Sequence, residues 1–183
     1  MDKNWKNQLN EVTQQFTTTF GQLSAQELNW KKNTDQWSIA QIIDHIITIN
    51  ETYYPIFAAL KAGNYSTPKV YSWNPISNFV GKKVLQALEP SRKKKISTFE
   101  IWEPSTSNIN ADILEKFTVH QSTLAEHYDE MVSFMEAGTK ISSPANKKFV
   151  YRLDVGFEAI LLHEKRHYNQ ALEVLNQMKS NQN

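Results

Sequence analysis

The sequence contains no cysteine. That excludes disulfides, thiolate metal ligands and a cysteine nucleophile together. Any thiol chemistry must draw its thiol from a small molecule. Any metal must be held by His, Asp or Glu, which favours ions such as zinc, nickel, iron or manganese. A run of about 18 apolar residues is also missing, so no membrane span is expected. The opening segment MDKNWKNQLN lacks the apolar stretch of a signal peptide, which makes a cytoplasmic location the expectation. Charge bias is absent too: a net charge of +1 points to no partner. The one dense basic run, Arg92-Lys93-Lys94-Lys95, reads as a solvated turn, because nucleic-acid binders carry a broader basic face. No nucleic-acid partner is expected.

What is present suits one ordinary domain over residues 1–183, long enough to bury a core without staples. Hydrophobic residues at 40% and charged residues at 21% exclude a disordered chain. Trp5, Leu9, Val12, Phe16, Phe20 and Leu23 recur at steps of three and four, which predicts a first helix. Ser24 and Glu27 then form a capping-box pattern. Asn33-Thr34-Asp35 reads as the start of a second helix from Trp37 to about Leu60, with Ile39, Ile42, Ile43, Ile46, Ile49 and Tyr53 inward and Pro55 kinking its last turns. Its β-branched residues would suit a strand, but its length does not. Gly63-Asn64 ends it.

Residues 64–110 hold Pro68, Pro75, Pro90 and Pro104, with a short helix predicted from Ile76 to Leu88. So long a connection is more often functional than idle. Its Trp73 and Trp102 are expected to seal the core. A third helix from Ala111 to Ala137 carries the seam Leu114, Phe117, Gln121, Leu124, Tyr128, Met131 and Met135. After a loop with Pro144, a fourth runs from about Arg152 to Met178 and buries Phe157, Ile160, Leu161, Val174, Leu175 and Met178. Without a convincing strand, the expected fold is all-α: an antiparallel four-helix bundle with a long irregular connection between helices 2 and 3.

Five histidines punctuate these helices. His163 and His167 stand at i, i+4, so both rings project from one face. That face is the buried one, with Ile160, Ala171 and Val174 on the same track. His45 lies three residues after Ile42 and four before Ile49, so it also points inward. Buried imidazoles are costly unless their nitrogens are satisfied. Two readings of His45, His163 and His167 stand side by side. They are either hydrogen-bonded core histidines or the three-nitrogen ligand set of a metal, with positions left open for water or substrate. His120 and His127 flank the third-helix seam and are expected not to be ligands, His127 being the reserve. Asp44, Glu51, Glu158, Glu164 and Arg166 are charged residues near these histidines, on what should be solvated faces, and carry no assigned role. Gln170, just past His167, could hydrogen-bond within the site.

The stretch from Trp37 to Ile46, WSIAQIIDHI, resembles the second-helix signature of the DinB-like superfamily, in which an inward His follows a tryptophan by eight residues. The stretch from Leu162 to Gln170, LHEKRHYNQ, is similar to that family's last-helix signature, two His at i, i+4 followed by Gln. Order, separation and total length also match. The resemblance implies a four-helix bundle holding one divalent transition metal, most often nickel or zinc, on His45, His163 and His167. Some members of the family, which includes bacillithiol S-transferases, are transferases or isomerases that use low-molecular-weight thiols.

The leading expectation is therefore a divalent-metal-dependent thiol S-transferase acting on a small-molecule thiol and an electrophilic substrate. The alternatives are a metal-dependent hydrolase and a non-catalytic metal or small-ligand binding bundle. A homodimer is compatible with such bundles. Residue spacing names neither the metal, the substrate, nor a general base.

Overall fold

The apolar steps of three and four predict helices, and the computed structural model, which describes residues 4–91, 102–104 and 108–181, is mostly helical. The basic run at Arg92–Lys95 lies outside the described residues. Helix α1 (Asn4–Phe20) buries Trp5, Leu9, Val12, Phe16 and Phe20. The short α2 (Ala25–Leu28) begins at Ser24 with the expected capping box to Glu27.

The single second helix expected from Trp37 to Leu60 is two helices. Its start is not at Asn33-Thr34-Asp35 but at Ser38. There the side chain accepts from the Gln41 N–H, and Gln41 Oε1 accepts from the Ser38 N–H. Helix α3 (Ile39–Glu51) and helix α4 (Tyr54–Lys61) meet at Thr52-Tyr53. Pro55 has no N–H to offer the carbonyl one turn back, so the chain breaks here instead of kinking. Gly63, at φ +67°, closes α4 with the Asn64 N–H on the Ala59 carbonyl.

The connection after α4 contains α5 (Asn74–Leu88), with Pro75 in its first turn, two residues earlier than expected. Trp73 does not seal the core: it is 65% exposed. Helix α6 (Ile113–Glu136) buries Phe117, Gln121, Leu124, Met131 and Met135 from the expected seam. The last helix, α7 (Leu153–Asn181), buries all six of its expected core residues.

Between α6 and α7 the expected loop is a β-hairpin, β1 (Lys140–Ser143) with β2 (Asn146–Arg152), antiparallel and turning through Pro144. Ile141 pairs with Tyr151 on the buried face. The strands are short, yet Lys-Phe-Val-Tyr-Arg has the aromatic and β-branched character of a strand. The Tyr151 hydroxyl meets that of Tyr53 at 2.9 Å.

Helix α1 packs on α6 and α7, and α3 packs on the same two, while α5 lies across α7 and β2. The histidine-bearing faces of α3 and α7 are thereby brought together. Among the described residues, no helix is long and apolar enough to cross a membrane.

Candidate metal centre

The capping box at Ser38 fixes where α3 begins, and so the rotational phase of every residue along it. Seven residues on, His45 projects into the interface with α7 and is 2% exposed. His163 and His167, each 8% exposed, face it from one side of α7. Their Nε2 atoms stand 2.9 Å apart. The His45 ring centre lies 5.2 Å from that of His163 and 4.7 Å from that of His167. One ring nitrogen from each residue lies within 4.8 Å of the other two, and among the described residues no further His, Asp or Glu joins the group.

The protonation pattern follows from burial. The His45 pKa falls to about 4 because burial disfavours the cation, with the Trp102 carbonyl opposing the fall. His167 falls to about 3 from burial and then from His45, and contact with Gln170 offsets part of this. His163 falls well below the usual range from burial, with His167, His45 and Arg166 adding to it. All three are neutral at neutral pH, the form in which imidazole ligates a metal.

His45 Nδ1 lies 2.5 Å from the Trp102 carbonyl oxygen. A carbonyl only accepts, so Nδ1 carries the proton and Nε2 keeps its lone pair for the cluster. This bond brings the long connection to the cluster through a backbone atom. The Trp37 ring covers His45 at 4.6 Å and stacks at 20° to His167 at 6.3 Å, an apolar wall on one side of the cluster.

The donor set fits a divalent metal ion. At bond lengths of about 2.1 Å, two tetrahedral nitrogen ligands stand about 3.4 Å apart. The His163–His167 separation of 2.9 Å lies just under that value, and the His45 nitrogen lies within 4.8 Å of both. Two Nε2 atoms apposed at 2.9 Å repel unless one carries a proton or both face a cation. The Nδ1 atoms of both rings are buried with no well-formed hydrogen bond, so they are free to take those protons.

The other candidates lie elsewhere. His127, the reserve ligand, bonds to Glu130 at 3.0 Å on the surface. His120 is buried and lies 3.1 Å from the Tyr54 hydroxyl and 3.2 Å from Asn50 Nδ2. Arg166 donates to the Ala87 carbonyl near the end of α5. Glu164 was expected on a solvated face and is fully buried. Its oxygens accept from Asn50 Nδ2 at 2.7 Å and Gln121 Nε2 at 2.8 Å, and burial pushes its pKa up to about 7 against those two bonds. The signal was present: Glu164 lies four residues after Ile160 and seven after Phe157, on the core track. A surface cleft of about 770 Å³ beside Asn29, Trp30 and Ile109 contains none of the three histidines.

A mostly helical chain with three neutral histidines converging from two helices fits a metal-binding protein. The chain belongs to the DinB superfamily, which it matches over residues 8–171. No curated protein and no solved structure matches it.

Proposed function

We propose that this protein is a divalent-metal-dependent thiol S-transferase whose metal is held by His45, His163 and His167. The observation that carries the reading is the convergence of three neutral imidazoles with, among the described residues, no carboxylate or fourth imidazole joining them. Such a set leaves coordination positions open, as catalytic sites do and structural sites do not. His45, His163 and His167 would hold a divalent cation, nickel or zinc in this reading, whose Lewis acidity would favour the nucleophilic, deprotonated form of a small-molecule thiol. The chain's own residues do the rest. The Trp102 carbonyl aims His45, and Trp37 shields one side from water, which strengthens charge interactions inside. The missing protein cysteine fits an imported thiol.

The test is metal content by plasma mass spectrometry, followed by a screen of cellular thiols against electrophiles. One equivalent of metal in the wild type, absent in His163→Ala, with metal-dependent conjugation, is the expected result. Bound metal without conjugation, but with metal-dependent hydrolysis, would move the assignment to a hydrolase. Neither activity would leave a binding module, and no metal would end the reading altogether.

A further inference from the structure

Glu164 is the one fully buried carboxylate among the described residues, and it has no cationic partner among them. Both of its oxygens are held by neutral amides, one from α3 (Asn50) and one from α6 (Gln121). A desolvated carboxylate in a helical core is expensive, and an apolar residue of like size is commonly as good or better for stability. Its cost therefore asks for a use other than packing.

The helix interfaces around it supply one. Ile42, Ile43, Ile46, Phe117, Leu124, Ile160 and Leu161 are apolar, and apolar contact is non-directional. Such surfaces tolerate rotation and sliding. The histidines themselves discriminate registers poorly: a one-turn slip of α7 would bring His163 into the place of His167. The same slip would set Ile160 against Asn50 instead of a carboxylate. Directional bonds at 2.7 and 2.8 Å exclude it. Asn50 lies five residues after His45 on α3, and Glu164 directly follows His163 on α7. One helix pair carries both the cluster and the lock.

We propose that Glu164 is a positioning residue that, through Asn50 and Gln121, sets the rotation and register of α7 so that His163 and His167 converge on His45. The proposal rests on the metal reading for its functional consequence but not for its test. The amide oxygens Asn50 Oδ1 and Gln121 Oε1 are buried without partners. Glu164→Gln can therefore keep the lock, because a flipped neighbouring amide turns one of these oxygens toward the introduced N–H.

The decisive variant replaces the polar layer whole: Asn50→Leu, Gln121→Leu and Glu164→Leu together. Co²⁺ affinity is followed by absorption, and imidazole ring resonances by long-range ¹H–¹⁵N correlation on metal-free protein. Expected are retained helicity, Co²⁺ binding weakened about tenfold or more, and multiple or averaged ring signals for His163 and His167. Glu164→Gln should stay within about threefold of wild type, in keeping with a retained lock. Wild-type affinity together with a single set of ring signals in the apolar variant would overturn the proposal. Should that variant not fold, Gln121→Leu removes one donor and is read by the same two measurements: weakened binding with multiple ring signals supports the lock, and wild-type behaviour in both overturns it. If the wild type binds no Co²⁺, the metal reading fails alone, and the ring spectra still decide register: one set in the apolar variant overturns the lock, several support it.

Discussion

The Nδ1 of His45 donates to the backbone carbonyl of Trp102, 57 positions further along the chain, at 2.5 Å. The bond ties α3 to the long connection and selects which nitrogen of His45 faces the cluster. Since the acceptor is backbone, the identity of residue 102 matters less than its conformation.

Trp102→Phe should therefore leave metal affinity within a few-fold of wild type. Glu103→Pro should not, because proline pushes the residue before it toward extended backbone and would swing the carbonyl away. Loss of such an outer hydrogen bond typically costs 10- to 100-fold in affinity, so about that loss is expected. Isothermal titration with Zn²⁺ checks both variants. Equal affinities would show that the carbonyl does not aim His45.

His120 supplies a pH dependence. Burial first, and then His127, lowers its pKa to about 4 from the ordinary 6.5. The unfolded chain binds a proton here between pH 6.5 and 4 that the folded chain does not. The folded state is thus penalised as pH falls through that window, and the contribution is complete above 6.5. At 1.36 kcal/mol per unit, the loss approaches about 3 kcal/mol by pH 4. Urea unfolding of wild type and His120→Gln from pH 7 to 4 should show the wild type losing more stability. Parallel curves would mean that His120 does not titrate differently on folding.

The buried hydroxyl pair of Tyr53 and Tyr151 joins the hairpin to the end of α3. The Tyr151 hydroxyl also bonds Ser143, so Tyr151→Phe, which leaves the Tyr53 hydroxyl desolvated, should cost about 1–3 kcal/mol and Tyr53→Phe less. The double variant should cost less than the sum, because the Tyr53 hydroxyl is no longer left orphaned. A double-mutant cycle from thermal melts measures this, and strict additivity would show that the two hydroxyls do not share one bond.

Much of this protein was legible one helix at a time. The 3.6-residue period placed Trp5 through Phe20, the α6 seam and the α7 core, because burial of a helix face is written into local spacing. The same spacing turned His45, His163 and His167 inward. The capping box at Ser38 and Gln41 is also written locally, as a Ser with Gln three residues later. Glu164 lies on a core track too, but its charge argued for solvent, and only partners on other helices reverse that argument.

The sequence by itself determined which residues form helices, where several of them stop, and which three histidines lie on buried faces, since these depend on neighbours within a turn or two. Tertiary structure alone decided that the Trp102 carbonyl would fix the His45 tautomer, that a hairpin would bridge α6 and α7, and that three helices would share the Glu164 carboxylate. Every residue carries a carbonyl, so nothing in residue type marks the one that accepts. Which helix faces meet is settled by the packing of the whole core, where the contacts that choose partners lie tens of residues apart.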